Sequence, residues 1–299
     1  MVTSYPLALR QLCAPTLETL LGGEFSQIAA LLPLWLSDLI PLSEPLLDEL
    51  GEAGLWLWWY ASVLDSLVDG DVAPTALPGA QQALLRALEI YRGLGLAETP
   101  AWADLQARAL RAADAYAREV ATRSIAINAL QDDQLALWSS DLLVDRASPF
   151  LFTLSAQLEL VGAPAADPQR AQLAAVLSHL TAMRQLADDA SDWLADLQRG
   201  QLNSASAGLI RYFRQQRPDQ AATLSVEQLA GYEIHAEDYW RAMEQQYQQL
   251  YQQALDHLAD SQVCRLGMLI RHQKHSDQIG WERMRARRAT LRLMFCEIE

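Results

Sequence analysis

The sequence predicts an all-α protein, a single-domain helical bundle, and three observations carry that expectation. Ala, Leu, Gln, Arg and Glu recur from end to end, and all of them favour helix. Runs of β-branched residues, which strands favour, are nearly absent. Breaks bearing Pro, Gly or Ser leave helices of about 12–28 residues between them, long enough to build a tall bundle.

Those breaks fall at Pro41–Pro45, Gly70–Gly79, Gly93–Pro100, Gly162–Pro168, Gly200–Ser206 and Arg217–Asp219. The first helical run contains the apolar stretch Ile28–Leu36, and the second contains Leu55–Leu64. A third lies between Gly79 and Gly93, and another follows Pro100. A long helix is expected over roughly Asp133 to Val161, kinked at Pro149, whose ring clashes with the carbonyl of Asp145 four residues back. Pro168 to Gly200 forms the next run and carries the strongest acidic cluster. Residues 244–253 are Gln-rich, and the spacing of Tyr247 and Tyr251 reads as a helix face. No change of composition marks a linker and no repeat recurs, so one domain spanning 1–299 is expected.

Composition narrows the function. The formal charge is −14 and Lys274 is the only lysine, which argues against nucleic acid or an anionic membrane as partner. Cys13, Cys264 and Cys296 are scattered without metal-ligand spacing, so small buried thiols in a reducing cytoplasm are expected. Met1 to Arg10 lacks a basic segment followed by an apolar run, so it does not read as a signal peptide. Neither apolar stretch approaches the ~20 residues needed to span a bilayer. The five histidines show no ligand spacing.

Two acidic clusters carry chemistry. One reads Arg184-Gln185-Leu186-Ala187-Asp188-Asp189-Ala190-Ser191-Asp192-Trp193-Leu194-Ala195-Asp196, with Gly200 and Asn203 following. The other is Asp65-Ser66-Leu67-Val68-Asp69-Gly70. Residues four apart lie about 40° apart around a helix, so Asp188, Asp192 and Asp196 form one stripe about 12 Å long. Like charges so spaced repel, and a cation relieves them. Carboxylate oxygens suit Mg²⁺, which completes its shell with water and substrate phosphate. The neighbours of the stripe are Ala, Leu and Trp rather than Lys and Glu, an odd surface for a helix that merely faces water. Arg146, before Pro149, has two readings: an ion pair with Asp141 or Asp145, or a fork for diphosphate oxygens.

On these residues the chain resembles the class I isoprenoid synthases, which include trans-prenyl diphosphate synthases, squalene/phytoene synthases and terpene cyclases. Asp65-Ser66-Leu67-Val68-Asp69-Gly70 resembles the first aspartate-rich motif in its phytoene-synthase form. Asp188-Asp189-Ala190-Ser191-Asp192 with Gly200 and Asn203 resembles the second motif of polyprenyl synthases, and the Asp188, Asp192, Asp196 spacing resembles the metal triad of terpene cyclases. Arg146-Ala147-Ser148 looks like the basic segment between the motifs. The resemblance implies an all-α bundle around a deep apolar pocket, with the two acidic helices facing each other at its mouth. It implies three Mg²⁺ ions with a bound prenyl diphosphate, held by Asp65 and Asp69 on one side and by Asp188, Asp189, Asp192 and Asp196 on the other. Arg146 and Arg184 are then the diphosphate contacts, and the assembly implied includes a homodimer. Trp58, Tyr60, Trp138, Phe150, Phe152 and Trp193 are aromatic candidates for the pocket wall, with core packing as their other job.

Departures refine the expectation. Chain-elongating synthases begin the first motif with Asp-Asp and follow it with Arg-Arg, whereas here stand Asp65-Ser66 and Val72-Ala73-Pro74-Thr75. Their N-terminal Gly-Lys-Arg is matched only by Gly22-Gly23-Glu24. A site that ionises one allylic diphosphate without a second diphosphate donor is that of a cyclase or of a transferase with another acceptor, and a non-standard terpene cyclase acting on a C15 or C20 diphosphate is the expectation. The alternatives are a prenyltransferase, of polyprenyl or squalene/phytoene synthase type, and a non-catalytic regulatory subunit of a prenyl synthase.

Overall fold

The computed structural model describes residues 24–164, 167–258 and 263–296. Cys13, Gly22 and Gly23, and the side chain of Cys296, lie outside the described part. Among the described residues all regular structure is helical, as the composition requires. Twelve α-helices are described: α1 (Glu24–Leu36), α2 (Glu44–Asp69), α3 (Leu77–Gly93), α4 (Pro100–Thr122), α5 (Asp132–Ala136), α6 (Ser140–Arg146), α7 (Phe152–Leu160), α8 (Pro168–Gln198), α9 (Ser204–Gln216), α10 (Val226–Tyr232), α11 (Glu237–Leu258) and α12 (Arg265–Cys296). No described helix is long and apolar enough to cross a membrane.

All six expected breaks are present. The long helix over Asp133–Val161 is not: α5, α6 and α7 take its place, with a 3-10 turn at Ser148–Leu151. Pro149 lacks the N–H that would continue α6 and crowds the Asp145 carbonyl, so the chain changes helix type there instead of bending. A second break, at Leu137–Ser139, has no Pro or Gly to announce it.

The described residues group into two compact units. The first comprises the described residues of 24–110, 148–164, 167–174 and 264–266. Its core is built on α2, whose Trp56, Trp59 and Val63 are buried with Ala80, Ala83 and Ala87 of α3. Tyr91 meets Phe152 edge-to-face at 4.8 Å, so Phe152 packs the core. Gln157, fully buried, donates its amide to the carbonyls of Ile40 (2.7 Å) and Pro33 (3.3 Å), the latter an acceptor in the last turn of α1 and the former in the segment that follows it. α1 lies against α2 so closely that a Cβ on Gly51 would stand 2.5 Å from the Ala30 carbonyl oxygen, and one on Gly54 2.7 Å from that of Ala29.

The second unit comprises the described residues of 111–147, 175–258, 263 and 267–296. Trp193, Trp240, Tyr247 and Trp281 are its largest buried side chains, with Trp193 and Trp240 centred 6.0 Å apart. Ion pairs fasten α12: Arg285 to Glu244 (3.4 Å), Arg287 to the buried Glu233 (3.5 Å), and Arg292 to Glu237. Arg288 is buried with its guanidinium 4.9 Å from the Trp240 ring centre. Arg288 therefore packs inside this unit, while Arg285, Arg287 and Arg292 make half-exposed ion pairs on it.

Gly51→Ala should destabilise the protein by about 2 kcal/mol, because the colliding atom is backbone and cannot swing away. Gly280→Ala should stabilise it by about 0.5–1 kcal/mol, since nothing lies within 4 Å of the added carbon and alanine is the better helix former. Urea denaturation measures both; equal midpoints for the two variants would contradict the α1–α2 packing described.

Candidate functional site

Both acidic clusters end their helices with the same device. At the end of α2, Gly70 adopts φ 78°, its N–H bonds the Leu67 carbonyl (3.3 Å), and Asp71 N–H bonds that of Ser66 (2.8 Å). At the end of α8, Gly200 adopts φ 77°, its N–H bonds the Leu197 carbonyl (3.0 Å), and Gln201 N–H bonds that of Asp196 (2.9 Å). These are Schellman closures, which need a residue at ease in the left-handed region. Asp69 and Asp196 thereby stand in C-terminal turns, where unsatisfied carbonyls present partial negative charge. A carboxylate there is unfavourable unless a cation meets it.

In the first unit, Asp65 and Asp69 are half-buried on the last two turns of α2. In the second unit, Arg184, Asp188, Asp192 and Asp196 follow one stripe of α8. Asp188 and Asp192 reach solvent. Lost hydration raises the pKa of Asp188, Asp192 and Asp196 add to the rise, and Arg184 and Arg146 oppose it. Asp192 is raised by the same loss and then by Asp196. The stripe is thus under the mutual repulsion its spacing implies.

Asp189 and Asp196 are engaged with the protein. Asp189 is buried and accepts from Ser204 N–H at 2.8 Å, at the first turn of α9. Asp196 pairs with Arg199 (2.7 Å) and accepts from the Asn203 amide (2.8 Å). That amide also donates to the Asp189 carbonyl (3.1 Å), while its oxygen accepts from Ser206 N–H (2.9 Å) and caps α9. One buried asparagine therefore locks α9 to the acidic turns of α8. Burial drives Asp189 up to about 6 in spite of Arg146 and Ser204.

Arg146 finds a carboxylate partner on another helix. Its Nε lies 3.2 Å from the carboxylate of Glu119 on α4, and Arg111 takes Asp145 at 3.6 Å. Glu119 is 4% exposed and also receives Arg123 at 2.8 Å; Tyr116 lies under the Arg146 guanidinium, 5.9 Å from its centre. Sequence reasoning missed Glu119 and Arg123, which sit in an ordinary amphipathic stretch. The end of α4 reaches the α8 corner through Ser124, whose N–H bonds the Gly200 carbonyl at 2.9 Å from φ 57°. Arg184 donates to Gln273 at 3.2 Å.

Beside this corner a cavity of about 210 Å³ is lined by Trp138, Leu143, Leu186, Ser204, Tyr239 and Met243. Tyr239 donates to the Ala205 carbonyl at 2.7 Å; Trp138 lines this cavity, whereas Trp193 is buried in the core. Among the described residues no three His, Cys, Asp or Glu side chains gather around one point. The stripe offers two solvent-facing carboxylates a turn apart, a donor set that fits Mg²⁺, which takes one or two carboxylates and fills its shell with water and phosphate oxygens. Compared with protein-family models, curated proteins and solved structures, the chain finds no match in any of the three.

The raised Asp189 has a pH signature. Its folded pKa of about 6 lies above the ordinary 3.8, so its favourable contribution is full below about pH 4 and is lost as pH rises through about 6. In metal-free buffer, the stability of Asp189→Asn relative to wild type should therefore climb between about pH 4 and pH 7 and then level off. Urea midpoints at stepped pH measure this, and a constant difference would contradict the burial of an ionisable Asp189.

Proposed function

We propose that this chain is a Mg²⁺-dependent class I isoprenoid synthase, a non-standard terpene cyclase that ionises an allylic prenyl diphosphate of fifteen or twenty carbons. The observation that supports it most is the Arg184–Asp188–Asp192 stripe: two strained carboxylates open to solvent, with a guanidinium one turn before them. Arg146 adds a second guanidinium whose charge is felt by Asp188 and Asp189.

In this reading Asp188 and Asp192 are the metal ligands of α8. Asp189 and Asp196 fix the corner that aims them. Asp65 and Asp69 are assigned the same ligand role on α2. A bound Mg²⁺ would supply charge neutralisation for the diphosphate and its departing oxygen. Arg184 and Arg146 hold the diphosphate oxygens through their N–H forks. When the allylic C–O bond breaks, both electrons leave with oxygen, and the arginines keep that charge paired while the carbon tail becomes a cation. Water must be excluded from that cation, or alcohol forms.

Asp65→Ala and Asp188→Ala should each abolish release of inorganic diphosphate from farnesyl or geranylgeranyl diphosphate, with melting temperatures within a few degrees of wild type. Undiminished release from both variants would sink the assignment.

A further inference from the structure

We propose that Gln273 and Asp277 on α12 are positioning residues for Arg184, and through it for the diphosphate; this rests on the functional reading above. Gln273 is 1% exposed. Its oxygen accepts from Arg184 Nη1 at 3.2 Å, and its amide nitrogen donates to Asp277 Oδ1 at 2.8 Å. The other oxygen of Asp277 accepts from the Tyr247 hydroxyl at 2.9 Å. The relay runs from Tyr247 on α11, through Asp277 and Gln273 on α12, to Arg184 on α8.

Its direction is fixed by chemistry. A guanidinium only donates and an ionised carboxylate only accepts, so the amide has one usable orientation between them. Tyr247, whose pKa burial and then Asp277 push upward, stays a donor and anchors the far end. Gln273 and Asp277 are four apart on α12 and so share one face. An apolar side chain would fill the position of Gln273 without the desolvation cost of a buried amide. What the amide adds is an acceptor that holds one prong of a long, rotatable side chain. Arg184 in turn stands one turn before Asp188, whose carboxylate its charge stabilises. An arginine pre-aimed in this way loses less entropy when it grips an anion.

A double-mutant cycle read by calorimetric binding of inorganic diphosphate with Mg²⁺ tests this. Gln273→Met keeps the shape and removes both hydrogen bonds. It should weaken diphosphate binding about tenfold, the worth of a hydrogen bond to a charged group. Arg184→Gln should weaken it by at least as much. In the Arg184→Gln background Gln273→Met should cost nothing further, because its effect passes through Arg184. The same loss in both backgrounds, or none in either, overturns the proposal. Side-chain NMR of the Arg184 Nε–H group separates this from a failure of the functional reading. That signal should be sharp in wild type and broadened in Gln273→Met; if it is unchanged, the relay does not position Arg184. Order lost in the variant, with no diphosphate bound by wild type, leaves the relay standing and overturns both the functional reading and the relay's part in holding diphosphate.

Discussion

The second unit turns on the side chain of Asn203. Three of its hydrogen bonds converge on the junction of α8 and α9: one to the Asp189 carbonyl, one to the Asp196 carboxylate, and one from the Ser206 N–H. With the Asn203 side chain buried, its own amide would lose these partners if it moved, at a cost of about 1–3 kcal/mol for a buried polar group left unsatisfied. The Schellman turn at Gly200 supplies the reversal that brings Asn203 back to the helix it leaves. Asp189 reinforces the junction by accepting from the first turn of α9, where the helix dipole favours negative charge. The acidic stripe is therefore presented by a rigid corner, not by a loop.

That corner divides the carboxylates by role. Those facing the protein, Asp189 and Asp196, are matched by backbone N–H, Asn203 and Arg199. Asp188 and Asp192 face outward and repel one another, with Arg184 and Arg146 as the opposing charges. Glu119 restrains Arg146 and Arg123 by taking both on one buried carboxylate, so positive and negative groups are interleaved around the end of α8 rather than segregated. Such an arrangement is poised for a cation on its open side and for an anion that the cation brings with it.

The sequence made the fold class legible because helix propensity and breaker residues agree along nearly the whole chain. The stripe was legible for the same reason: a period of four in an otherwise apolar helix needs no tertiary information. Gly200 and Asn203 were legible as a spacing, while their jobs, a left-handed closure and a three-way clamp, follow only from the folded corner. Arg146 shows the limit. Asp141 and Asp145 are near in sequence, whereas Glu119, a carboxylate that reaches it, is 27 residues away (146 − 119 = 27). Pairing across helices leaves no local pattern. The break at Leu137–Ser139 was likewise hard to read, since it carries neither Pro nor Gly; it places Trp138 in the wall of a cavity. Gln273 gave no signal at all, because a buried glutamine in a polar helix looks like any surface glutamine.

The central claim is that an allylic diphosphate is ionised without a second diphosphate donor. The most direct measurement is inorganic diphosphate released when geranyl, farnesyl and geranylgeranyl diphosphates are each supplied alone with Mg²⁺, with the organic extract analysed alongside. Release from at least one of them, with a hydrocarbon or alcohol in the extract, is the predicted result. No release from any of the three, or release only after isopentenyl diphosphate is added, would contradict it.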